Sequence, residues 1–115
     1  MPRKNVCRLI SICAGAALLV AIAFAAPKPA AKGDPATGKA VFEQCAVCHS
    51  ADSTAKGMGP GLKGLFKRSR MADRKPMNEV NVRTKIDSGG SGMPPYKEML
   101  SSKEKDDLIA YLKTL

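Results

Sequence analysis

Cys45, Cys48 and His49 stand together in the run "CAVCH", and His49 is the only histidine in the chain. Two thiols three positions apart with an imidazole beside them suit three kinds of chemistry. A structural zinc site needs four ligands, usually drawn from two Cys/His pairs. The run supplies three, and no carboxylate spacing argues for a fourth. A thiol–disulfide shuttle also uses Cys-x-x-Cys, but normally on a βαβ scaffold. No segment of this chain alternates apolar and polar residues for long, so that scaffold is not expected.

Covalent haem uses all three residues. Cysteines at this spacing lie on one side of a helical turn, where both can form thioethers along one porphyrin edge. The adjacent His49 then presents its imidazole to the iron from one face. The motif predicts one haem c on Cys45 and Cys48, with His49 as an axial ligand. A second histidine ligand is excluded, so methionine is expected on the far face. Beyond the motif stand Met58, Met71, Met77, Met93 and Met99. Met58 follows His49 too closely for an easy wrap around a ring, and Met71 and Met77 lie in a polar, basic stretch. Met93 sits in "GSGMPPY", where glycines let the backbone approach a ring and Pro94-Pro95 stiffen the loop behind. Met93 is therefore the expected ligand, with Met99 as its rival.

The elements that position these residues read as helices. Asp34 is a good N-cap and Pro35 suits the first helical position. Gly38, Phe42 and Cys45 follow at i, i+4 and i+7, on one face of a helix expected to run to about Cys48. A glycine inside a helix costs about 1 kcal/mol relative to alanine, so Gly38 implies a close neighbour. Residues 55–66 are glycine-rich loop, with Leu62, Leu65 and Phe66 turned inward. Asn78 caps a helix over "EVNVRTKIDS", which stops at Gly89-Gly90. Ser101 and Glu104 form a capping box for a last helix ending near Lys113. The expected fold is all-α, with three to four helices and long loops wrapped around one covalent haem.

Ahead of this domain, residues 1–25 read as an export signal. Arg3, Lys4 and Arg8 precede an uncharged apolar run, and Ala23-Phe24-Ala25 fits a cleavage pattern. The alternative is an uncleaved anchor, since the run approaches the ~20 residues needed to span a bilayer. Residues 26–33 form a Pro/Ala/Lys linker, and 34–115 form the domain. Cys7 and Cys13 leave with the signal, so a disulfide framework is excluded. About 85–90 residues then remain, with few aromatics; a core that small needs a staple, which a bound cofactor would supply. Sixteen Lys and Arg stand against ten Asp and Glu beyond residue 25. That excess suits acidic protein surfaces or anionic membranes, and export argues against nucleic acid.

On "GKAVFEQCAVCH", "GMGPGLKGLF", "GGSGMPPY" and "LIAYLKTL", in that order, the chain resembles class I c-type cytochromes, especially small bacterial monohaem forms. The resemblance spans about residues 34–115. It implies a cytochrome c fold in which Gly38 and Phe42 meet Tyr111 where the first and last helices cross. It also implies that the Pro60 carbonyl accepts a hydrogen bond from His49. The implied function is one-electron transfer rather than catalysis, in the periplasm or anchored facing it. The implied partners are acidic-surfaced redox proteins such as a terminal oxidase, cytochrome complex or dehydrogenase, met by a monomer. The alternative is a haem c subunit of a periplasmic oxidoreductase complex. Between Phe66 and Asn78 the family pattern is not matched, and Tyr96, Arg83 and Lys97 are the candidate propionate contacts.

Overall fold

A computed structural model describes residues 32–115 of the chain. The expected export segment, and all but the last two residues of the linker, lie outside the described residues. Three α-helices follow one another: α1 (Pro35–Phe42), α2 (Glu79–Ser88) and α3 (Ser102–Leu112). One 3₁₀ turn, Leu65–Lys67, interrupts the long connection from α1 to α2. Among the described residues there is no strand, only two isolated bridges, Arg70–Pro76 and Gly90–Met93. The architecture is all-α, as expected.

Each helix starts where its capping chemistry dictates. Asp34 accepts from the amides of Ala36 and Thr37, with Pro35 next in line. Asn78 accepts from Asn81. Ser101 and Glu104 bond each other's backbone reciprocally, a complete capping box. The end of α1 differs from expectation. It closes at Phe42 rather than near Cys48, because Glu43 bonds back three residues to Ala40 and tightens the spiral. The chain then continues in hydrogen-bonded turns, with Cys48 N–H to Cys45 and His49 N–H to Cys45.

Helix α1 crosses α3 at Gly38. A Cβ built there would come 1.9 Å from the Asp107 carbonyl oxygen and 2.9 Å from Tyr111 Cβ, so only glycine lets the two backbones meet. One turn on, the Phe42 and Tyr111 rings pack with centroids 5.3 Å apart, tilted by 53°. Asp107 reinforces the crossing: its buried carboxylate accepts from the Asp34 amide at 2.7 Å and from Lys103 Nζ.

The buried apolar residues are Phe42, Leu65, Val82, Ile86, Leu100, Leu108, Ile109 and Leu112. Leu62 and Phe66 pack partly buried against them, while Val80 stays exposed on α2. Six of those eight also line one cavity, so core and cavity wall share residues.

Candidate functional site

That cavity has a volume of about 600 Å³, the size range of small-molecule and cofactor sites. Cys45, Cys48 and His49 line one side, delivered by the turns after α1. Gly90, Ser91, Gly92, Met93 and Pro94 line another, delivered by the loop after α2. Leu65, Val82, Ile86, Leu108 and Leu112 supply apolar wall between them.

The His49 ring is held by two neighbours. Its Nδ1 lies 2.9 Å from the Pro60 carbonyl oxygen. A carbonyl only accepts, so Nδ1 carries the proton and Nε2 keeps its lone pair for a metal. Gly59 packs against the ring edge so closely that a Cβ there would come 2.7 Å from His49 Cε1. The loop thus sets both the tautomer and the orientation of the imidazole.

The Met93 loop is a tight turn built from left-handed residues. Gly90, Ser91 and Gly92 all have positive φ, at 101°, 57° and 88°. Gly90 and Met93 exchange backbone hydrogen bonds across the turn. Tyr96 closes its base by donating from its amide to the Ile86 carbonyl. Of the other methionines, Met71 and Met58 also line the cavity, while Met77 packs partly buried against the core. Met58 is 79% exposed, with its sulfur 3.2 Å from Cys48 Sγ, on the histidine side. Met99 is 64% exposed and is not part of the cavity wall.

The Cys45 thiol does not suit disulfide exchange. Burial, and then the neighbouring Cys48, push the Cys45 thiol above its ordinary value, whereas a reactive dithiol needs a lowered one. Both cysteines are free. No group of three or more His, Cys, Asp or Glu among the described residues is arranged to hold a metal ion. Two sulfurs and one imidazole on the wall of an apolar cavity fit a large apolar cofactor attached through carbon–sulfur bonds.

The polar residues at the cavity differ in part from expectation. Tyr96 lines it, and burial pushes its hydroxyl above the ordinary value. Arg83 points elsewhere: it pairs with Asp106 on α3 and lines a separate groove. Lys97 is also absent from the wall, and its carbonyl accepts from Lys105. The cations that do reach the cavity are Lys56, Arg68 and Lys85. Arg68 is fixed there by donating to the carbonyls of Gly61 (2.9 Å) and Lys63 (2.6 Å). Its place in the basic run was visible, but nothing in the spacing distinguished it from its neighbours.

Among the described residues no helix is long and apolar enough to cross a membrane. The cytochrome c family model matches residues 35–115. The chain is 31% identical over 127 residues to cytochrome c2 of Rhodospirillum rubrum, covering 87% of this chain and 94% of that protein. A shorter stretch of 41 residues is 56% identical to cytochrome c2 of Blastochloris viridis, 35% of this chain and 32% of that one. The solved structure of cytochrome cH from Methylobacterium extorquens is similar over 72% of this chain and all of its own length, with a TM-score of 0.55 and 25% identity. The match runs from the first residue of α1 through the last residue, over the motif and the cavity alike: the chain belongs to the class I c-type cytochromes, electron carriers built on one covalent haem c, and Cys45 and Cys48 fit the attachment motif.

Proposed function

We propose that this protein is a periplasmic one-electron carrier with His/Met-ligated haem c, and that it catalyses no reaction of its own. In this reading Cys45 and Cys48 form the two thioethers. His49 and Met93 are the axial ligands, and the Pro60 carbonyl orients the His49 ring. One observation carries it: both cysteines, the histidine and Met93 line a single apolar-walled cavity.

When bound, the haem would supply one-electron exchange, with Cys45, Cys48, His49 and Met93 as the residues that would hold it. The chain's own residues set the terms of that exchange. Leu65, Val82, Ile86, Leu108 and Leu112 give the cavity an apolar wall that would keep water from a ring bound there. The neutral sulfur of Met93 favours the ferrous state over what two imidazoles would give, so the potential is high for a c-type haem. The tight turn around Met93 would hold that ligand in place when the iron changes oxidation state. Lys56, Arg68 and Lys85 put positive charge at the cavity, suited to acidic docking surfaces on exported or membrane-bound redox partners. The export-like residues 1–25 support a periplasmic location, with membrane association if that segment is retained.

The test is the visible spectrum of the full chain expressed with the haem-attachment machinery, alongside Met93→Ala. The expected result is a low-spin c-type spectrum whose methionine signature is lost in the variant. A colourless protein would overturn the haem reading. A variant spectrum identical to wild type would overturn Met93 as ligand.

A further inference from the structure

Lys105 occupies a position where a helix of this kind has no use for a charge. It stands on α3 with Leu108, Ile109 and Leu112 at i+3, i+4 and i+7, on the face turned to the core. It is 6% exposed. A buried ammonium is costly unless paired, and helix packing alone would be served by an aliphatic residue here. Its two partners explain the charge. Lys105 Nζ lies 2.6 Å from Asp87 Oδ1 and donates to the Lys97 carbonyl at 2.9 Å.

Those partners are the two stems of the Met93 loop. Asp87 lies six residues before Met93, in the last turn of α2. Lys97 lies four residues after it, just past Tyr96. The loop between them holds the positive-φ residues 89–92; the Gly90–Met93 pair and Lys85 Nζ on the Gly90 carbonyl tie its tip, and the Tyr96 to Ile86 backbone bond closes its base. Asp87 Oδ1 is buried and has no hydrogen-bond partner besides this ion contact. Removing Lys105 therefore leaves a carboxylate oxygen uncompensated at one stem and a carbonyl unpaired at the other.

We propose that Lys105 is a positioning residue for the sixth ligand: one buried cation on α3 ties both stems of the Met93 loop and so holds Met93 against the cavity. The proposal rests on the reading of Met93 as axial ligand. Lys105 does not itself line the cavity; it acts through the loop.

The test is displacement of the methionine by added imidazole in the oxidised holoprotein, followed by loss of the methionine signature in the visible spectrum. In Lys105→Met, imidazole is expected to displace the ligand at about a tenth of the wild-type concentration, which is 1.4 kcal/mol of ligand retention. Lys105→Arg, which keeps the charge, is expected to recover most of the difference. Hydrogen exchange gives the second readout: the Gly90, Met93 and Tyr96 amides should exchange faster in Lys105→Met, while the α1 amides at its crossing with α3 should not. Asp87→Asn, milder in shape, carries the same expectation and stands in if Lys105→Met does not accumulate. Imidazole affinity within twofold of wild type in both variants would overturn the proposal, as would acceleration of all amides alike. The axial reading fails differently: Met93→Ala would then bind imidazole no more tightly than wild type, whatever the Lys105 variants do.

Discussion

Gly38 on α1 and Asp107 on α3 meet backbone to backbone, with room for a hydrogen and none for a methyl group. This contact fixes how the two ends of the domain cross. It also puts Phe42 against Tyr111 and starts the turns that carry Cys45 to the cavity. Gly38→Ala should gain up to ~1 kcal/mol in helix propensity. Against this, the Asp107 carbonyl is held within α3 and cannot rotate away from a Cβ 1.9 Å distant. Overpacking of this kind costs about 1–3 kcal/mol or more, so the net effect is destabilising. Urea unfolding of the holoprotein measures it; a midpoint at or above wild type would show that the helices can separate freely.

Asp107 gives the crossing a pH dependence. The Lys103 ammonium and then the Asp34 amide hold its carboxyl below the ordinary 3.8. Asp34 is lowered too, first by the Thr37 hydroxyl, and Glu104 by the Ser101 amide. A carboxylate lowered in the folded state stabilises it above the unfolded value, and that contribution is lost as pH falls through the folded value. Wild type should therefore lose stability on acidification below about pH 4. Asp107→Asn should be less stable than wild type at neutral pH, with the gap closing in acid. Denaturant midpoints at pH 7 and pH 3 check the sign; a gap that widens in acid would contradict it.

Gly59 tests the histidine support. Alanine there would push against His49 Cε1 and Nδ1 and move the ring off the Pro60 carbonyl. An imidazole that has lost its Nδ1–H hydrogen bond is a weaker donor to the metal. The reduction potential of Gly59→Ala should rise relative to wild type, and the protected Nδ1 proton should disappear from the NMR spectrum. A lower potential with that proton intact would mean the loop moves instead of the ring.

Phe42, Leu65, Val82, Ile86, Leu108 and Leu112 are both most of the buried core and part of the cavity wall, so a group bound there would extend one apolar core. A domain of this size has little apolar area to spare. The double variant Cys45→Ala/Cys48→Ala, produced without covalent haem, should lose most of its helical circular dichroism and its cooperative thermal transition. A cooperative transition retained near the wild-type temperature would show that α1 and α3 alone sustain the fold.

Much of this was legible in contiguous residues. The Asp34, Asn78 and Ser101 caps, the glycine stop after α2 and the Cys-x-x-Cys-His run all act within a few positions of themselves. Local hydrogen bonding and spacing are enough to specify them. Gly38 announced a close approach through its helix cost alone, though only the crossing with Asp107 says to what.

What the tertiary structure decided is how side chains divide between cavity, core and solvent. Local sequence favours Met93 among the five methionines after the motif; the wrap of the chain leaves Met99 in solvent and puts Met58, Met71 and Met93 on the cavity wall. Arg83 and Lys97 turn away from the cavity while Arg68 and Lys85 turn toward it, because a side chain's direction depends on how its element docks. Lys105 is the sharpest case. In sequence it is one of several lysines of a charged helix; in the fold it is buried between the stems of the Met93 loop, because Asp87 and Lys97 come together only when α2 and α3 pack. Sequence determined the attachment chemistry and the helix starts through short-range physics, and the long-range closure of loops around one apolar space determined which residues face it.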